Sequence, residues 1–127
     1  MPVAPRRVLV VDDDEDTAKS LSELLKLMGH HATFVTDSAK VDDCIVALEP
    51  HIAFLDIGMP GLNGWQLATH IRSKYPPEVL RLVAVTGYGT MDDRANSRRA
   101  GFDAHLLKPA SIDLVESIFA QFYSATD

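Results

Sequence analysis

The sequence predicts an α/β fold, a doubly wound parallel sheet of five strands covered by helices on both faces, and three observations carry that prediction. Short runs of Val, Leu, Ile, Phe and Ala are too uniformly apolar for strands with a solvent face. Each run is followed by a segment whose apolar residues recur at helical spacing. The alternation repeats five times along the chain, which calls for parallel strands joined by right-handed crossovers.

The first strand is "RVLVV", Arg7 to Val11, and Ala18, Leu21, Leu25 and Met28 mark the helix after it until Gly29 offers a C-terminal cap. "HATFV", His31 to Val35, is the second strand. Its helix carries Val41, Cys44, Ile45 and Leu48 inward and is stopped by Pro50, which lacks the amide proton a helix interior uses. "HIAFL", His51 to Leu55, leads through a glycine-rich turn to a third helix with Trp65, Leu67, Ala68 and Ile71, closed by Pro76 and Pro77. "LRLVAV", Leu80 to Val85, precedes a fourth helix from about Met91 to Ala100. Only Met91, Ala95 and Ala100 could face a core there, so it is weakly held. "AHLLK", Ala104 to Lys108, meets Pro109. Ser111 then caps a last helix carrying Leu114, Val115, Ile118 and Phe122 inward.

A chain of 127 residues fits one domain, spanning 1–127 with a core of about 6–123. Its formal charge is −6, from 18 acids against 12 lysines and arginines, with no basic run, so nucleic-acid binding is not expected. One cysteine, Cys44, excludes an internal disulfide and a cysteine-based zinc site, and at helical spacing it reads as a small core residue. The N-terminal apolar run is too short for a signal peptide or membrane span, and the cytoplasm is the expected location.

In such sheets ligands bind beyond the carboxyl ends of the strands, so the closing residues point to function. The first strand ends at Asp12, Asp13 and Asp14, the third at Asp56, the fourth at Thr86 and the fifth at Lys108. Converging carboxylates repel one another, and a hard divalent ion with oxygen ligands, Mg2+ by preference, relieves the repulsion. Asp56 is then able to attack phosphorus and form an acyl phosphate, with Thr86 and Lys108 holding the phosphoryl oxygens. Taken singly, the acidic run also suits a helix start, Thr86 a turn and Lys108 a solvated surface. Gly61 and Gly64 read as tight turns, and His30 and His31, on opposite faces of an extended segment, make a poor metal pair.

The motifs "VLVVDDDED", "LDIGMPGLNG", "VTGYG" and "LLKP" occur in that order and resemble those of the response-regulator receiver domain over nearly the whole chain. The resemblance implies a flavodoxin-like (βα)5 fold with strand order 2-1-3-4-5. It also implies Asp56 as phosphoacceptor, Asp13 as a direct magnesium ligand, Asp12 as a water-mediated one and the Gly58 carbonyl as another. Thr86 and Lys108 become phosphoryl contacts, the bond between Lys108 and Pro109 cis, and the donor a phosphohistidine on a histidine kinase or phosphotransfer protein. Such a chain is a phosphoacceptor in two-component or phosphorelay signalling that catalyses its own phosphorylation and dephosphorylation, not a turnover enzyme.

Two positions depart from the family pattern. His105 stands where the family usually carries a switching Tyr or Phe; with Thr86 it is a candidate switch residue whose titratable imidazole would couple signalling to pH, and the blander reading is a partly exposed histidine without a switching role. Tyr88, two residues after Thr86, is expected to shield the acyl phosphate from water. Arg94, Arg98 and Arg99 make the fourth helix basic, so its face with the fifth strand and fifth helix is expected to meet an acidic or self-complementary partner, including a second copy.

Rival classes fit less well. "TGYGTMD" has Asp92 where a dinucleotide fingerprint needs its third glycine, and no lysine-bearing phosphate loop is present. Haloacid-dehalogenase-type phosphatases place a second Asp where this chain has Gly58. A non-phosphorylated interaction module of the same fold conflicts with the intact Asp12, Asp13, Asp56, Thr86 and Lys108. The sequence ends soon after its last helix, at Asp127, so the expected protein is a free-standing receiver or one cut from something larger, such as the C-terminal receiver of a hybrid histidine kinase.

Overall fold

The protein's computed structural model describes residues 4–58, 64–87 and 91–123, the side chains of residues 91–93 excepted. The elements run β1 (Arg7–Val11), α1 (Glu15–Leu27), β2 (His31–Val35), a short 3-10 turn (Ser38–Lys40), α2 (Val41–Leu48), β3 (Ile52–Asp56), α3 (Gly64–Arg72), β4 (Arg81–Thr86), α4 (Met91–Ala100), β5 (Ala104–Leu107) and α5 (Ile112–Phe122). The strands form one parallel sheet, as the sequence predicts, in the order β2-β1-β3-β4-β5 that the family resemblance implies.

Alternation along the strands divides the core in two. Leu9, Val11, Ala53, Leu55, Leu82 and Ala84 face Val41 and Ile45 of α2 and Leu67, Ala68 and Ile71 of α3. Val8, Val10, Ile52, Phe54, Val83 and Val85 face Ala18, Leu21 and Leu25 of α1 and Val115, Ile118 and Phe119 of α5. Both sides of β3 are buried along its whole length, which explains why its sequence shows no polar alternation.

Helix ends follow local chemistry. Asp14 caps α1 by accepting from the Asp16 amide at 3.1 Å, and Ser111 caps α5 by accepting from Leu114 at 3.2 Å. Gly29, at φ +95°, follows the Met28 C-cap. Glu49 closes α2 in the left-handed region at φ 47° just before Pro50, and the Arg7 Nε–H donates to the Leu48 and Glu49 carbonyls.

Two inward assignments need correction. In α5 Leu114 is 45% exposed while Phe119 is buried, because Phe119 lies four residues after Val115 on the same stripe. In α4 Ala95 is exposed, Ala100 is buried, and the buried position is otherwise taken by Ser97. The Met91 side chain lies outside the described residues. Strand edges also move by a residue: β3 starts at Ile52 and includes Asp56, β4 runs Arg81–Thr86, and β5 stops at Leu107.

At the amino end of the sheet two successive backbone amides are taken by imidazoles. The Arg6 N–H donates to His30 Nδ1 and the Arg7 N–H to His51 Nδ1, both at 3.0 Å. His30 is buried and stacks on Phe119 with ring centroids 4.2 Å apart. Burial, and then the Arg6 and His31 charges, lower the His30 pKa below its ordinary 6.5. Burial and the Arg7 and Arg6 charges do the same for His51. Between 6.5 and the lowered folded values the unfolded chain holds more protons, so stability falls as pH drops through that window and is fully present above it. Thermal midpoints measured from pH 7.5 down to 5.5 are therefore expected to fall, and to fall less in His30→Asn, whose amide oxygen accepts the same bond without titrating. An unchanged slope in that variant contradicts the assignment.

Candidate functional site

Each of the predicted rim residues is delivered by its own strand end. Burying β1 as far as Val11 leaves Asp12 only 4% exposed, and the chain turns there into α1. The three successive acids divide the work: the Asp12 carboxylate accepts from the Asp14 amide at 3.0 Å, Asp14 caps the helix and accepts from Thr17 Oγ1–H, and Asp13 is exposed at the rim. Asp56, at the end of the central strand β3, is 8% exposed, and its Oδ1 accepts from the Gly58 amide at 3.0 Å.

Carboxylate oxygens of Asp12, Asp13 and Asp56 lie within 4.8 Å of one another. Lys108, just past β5, places Nζ 3.3 Å from Asp12 Oδ2 and 3.6 Å from Asp56 Oδ2. Burial raises the Asp12 pKa, and the like charge of Asp56 adds to it, against the Asp14 amide and the Lys108 ammonium. Burial alone would lower Lys108, but the two carboxylates outweigh it and its pKa is raised. Asp12 thus moves up chiefly through burial and Lys108 through the two carboxylates that face it, and the carboxylates of Asp12, Asp13 and Asp56 outnumber the one ammonium beside them. All-oxygen donors, close enough to share an ion and carrying excess negative charge, suit a hard divalent cation such as Mg2+.

A cavity of about 550 Å³ opens beside Asp56 and Lys108, lined by Asp56, Ile57, Gly58, Trp65, Thr86, Gly87 and Lys108. Thr86, 3% exposed, closes β4 beside Asp56, and its carbonyl accepts from the Lys108 amide at 2.9 Å. The peptide bond between Lys108 and Pro109 is cis. The structure therefore brings together Asp12, Asp13, Asp56, Thr86, Lys108 and Gly58. His105, on β5, is half-buried and does not line this cavity. Gly61 and Tyr88 lie outside the described residues. His30 sits at the other end of the sheet, where its Nδ1 accepts from the Arg6 amide.

Sequence reasoning missed two features of the site. Gly64 is more than a turn residue: a Cβ on it would come 2.5 Å from Ile57 Cα and 2.6 Å from the Asp56 carbonyl oxygen, so only glycine lets α3 start so close to Asp56. Trp65 packs on the core, as expected of it, but it also lines the cavity and donates from Nε1–H to Ser97 Oγ at 2.8 Å. The glycine next to a tryptophan was the available signal for the first, while nothing in the polar α4 sequence singles out Ser97.

No described helix is long and apolar enough to cross a membrane. A family model for the response regulator receiver domain matches residues 8–119. The response regulator protein FleR of Pseudomonas aeruginosa is 36% identical over 114 residues, covering 86% of this chain but 24% of FleR. An uncharacterised 14.6 kDa protein of Leptolyngbya boryana is 31% identical, with 91% of this chain and 87% of that protein covered. The crystal structure of a CheY-like receiver domain protein from Methanospirillum hungatei superposes with a TM-score of 0.81 at 27% identity, covering 93% of this chain and 94% of that one. With matched motifs, a matched sheet and an acidic rim in the expected place, the chain belongs to the response regulator receiver domain family of two-component signalling.

Proposed function

We propose that residues 1–127 form one receiver domain in which Asp56 accepts a phosphoryl group from a phosphohistidine on a histidine kinase or phosphotransfer protein, in the cytoplasm. The observation that carries this reading is the approach of the Asp12, Asp13 and Asp56 carboxylate oxygens to within 4.8 Å of one another, with Lys108 Nζ 3.3 Å from Asp12 and 3.6 Å from Asp56.

In the transfer, an Asp56 carboxylate oxygen bonds to phosphorus as the phosphorus–nitrogen bond of the donor breaks. The bonding electrons return to the imidazole ring, which takes up a proton. In this reading Lys108 Nζ, within 3.6 Å of Asp56 Oδ2, holds a phosphoryl oxygen, and the hydroxyl of Thr86, which lines the same cavity, holds another. The Gly58 amide fixes the Asp56 carboxylate through Oδ1, leaving Oδ2 toward Lys108. Asp12, Asp13, Asp56 and the Gly58 carbonyl would hold Mg2+, which when bound supplies charge neutralisation for the acids and the incoming phosphoryl oxygens.

A largely apolar groove of about 500 Å³ beside Asp12 and Lys108, lined by Leu21 and Leu24 of α1 and by Pro109 and Ala110, offers a donor protein a docking surface. Arg94, Arg98 and Arg99 are exposed on α4, which supports an acidic or self-complementary partner at the α4, β5 and α5 face. Phosphorylation redistributes that face between conformations through the end of β4 and β5, with Thr86 as the switching residue and His105 not required.

Intact-mass measurement after incubation with acetyl phosphate tests the reading. The native chain is expected to gain one phosphoryl group with Mg2+ and none with a chelator, and Asp56→Asn none under either condition. A metal-independent gain, or a gain in Asp56→Asn, removes Asp56 as the acceptor.

A further inference from the structure

The cavity over Asp56 has one aromatic wall among the described residues, the indole of Trp65. Trp65 follows Gly64, whose close approach seats the start of α3 against the Asp56 end of β3. From there the ring reaches across to α4, where its Nε1–H donates to Ser97 Oγ at 2.8 Å. Ser97 is fully buried, while its neighbours Arg98 and Arg99 are exposed, so this hydroxyl is the polar side chain that α4 turns inward among the described residues.

Trp65 is half-buried and Ser97 fully buried, so losing this bond leaves the Ser97 hydroxyl unpaired inside the protein and frees the indole from α4. The rotation of Trp65 is therefore tied to the position of α4, and with it the shape of the cavity wall. We infer that Trp65 is a positioning residue held by Ser97, which limits the approach of water to phosphorylated Asp56 and links the occupancy of that cavity to α4. This rests on Asp56 being the phosphoacceptor. In the reaction it slows, the oxygen of a water bonds to phosphorus as the bond from phosphorus to the Asp56 oxygen breaks. The electron pair returns to the carboxylate, and both water protons leave on dihydrogen phosphate.

Trp65 is the sole tryptophan of the chain, so its emission reads this one position. Beryllofluoride with Mg2+ is expected to change that emission in the native chain, and to change it less in Ser97→Ala. The phosphoryl group loaded from acetyl phosphate is expected to leave Ser97→Ala about threefold faster or more than the native chain. Trp65→Phe, which keeps an aromatic wall but no N–H, shortens the lifetime to a similar degree and reads the same bond should Ser97→Ala fail to fold. The double variant is expected to be no faster than either single one, since both remove one interaction. Normal loading with unchanged lifetimes, or effects that multiply in the double variant, overturns the role of Trp65 and leaves Asp56 as acceptor; failure of the native chain to load overturns both.

Discussion

Arg72→Ala is expected to cost about 3 kcal/mol of folding stability, roughly a 10 °C fall in thermal midpoint for a domain of this size. No motif names this residue, yet its guanidinium joins three parts of the chain. Nε and Nη2 donate to the Gly101 carbonyl at 3.1 and 2.8 Å, Nη1 to the Leu80 carbonyl at 2.7 Å and to Tyr75 at 3.2 Å, and Nη2 also to Asp103 Oδ2 at 2.9 Å. Asp103 in turn accepts from the Leu82 amide at 2.9 Å. The end of α3, the entry to β4 and the α4–β5 connection are thus fastened by one planar fork. Both side chains of the pair are only 16% exposed, so little water is available to replace the bonds. Deleting the arginine leaves a largely buried carboxylate with the Leu82 amide and a distant Arg81, 4.0 Å away, and strips the carbonyls of their donor. Arg72→Lys keeps the charge but not the fork, and is expected to recover less than half of the loss. Urea unfolding of the three proteins measures it; a loss under about 1 kcal/mol in Arg72→Ala would show the network to be dispensable.

Gly64→Ala is expected to be nearly as damaging, at about 3 kcal/mol, and to reach the functional site as well. The added methyl meets backbone, the Ile57 Cα and the Asp56 carbonyl, and neither is the movable end of a side chain. Relief requires α3 to withdraw from the end of β3, which displaces the Gly58 amide from Asp56 Oδ1 and the Trp65 ring from its cavity wall. Lower thermal stability together with weaker Mg2+-dependent beryllofluoride binding is therefore the expected pair of results. Gly87→Ala is the control: its added Cβ has no atom within 4 Å, so it is expected to leave stability within about 0.5 kcal/mol of the native value. A Gly64→Ala protein as stable as that control would contradict the close approach.

Periodicity read the fold well because both faces of the sheet are covered, and a strand buried on both sides needs apolar residues at every position. Val8 to Val11 and Ile52 to Leu55 satisfy that need, and the helices between them carry stripes that periodicity detects. It read α4 poorly, because the position that faces inward there is Ser97, whose place in the core depends on a hydrogen bond from Trp65 on another helix. Leu114 misled for a related reason: hydrophobicity marks what a residue can do, while the buried stripe of α5 runs through Val115, Ile118 and Phe119.

The sequence by itself determined the alternating α/β architecture and which residues close the strands, since both follow from local spacing and from where apolar runs stop. Only the tertiary structure decided that Asp12, Asp13, Asp56 and Lys108 share one rim, that Gly64 must lack a side chain, and that Arg72, Ser97 and the paired imidazoles of His30 and His51 hold distant segments together. These are distances between residues tens of positions apart, and charge, exclusion and hydrogen bonding act over a few ångströms of space rather than along the chain.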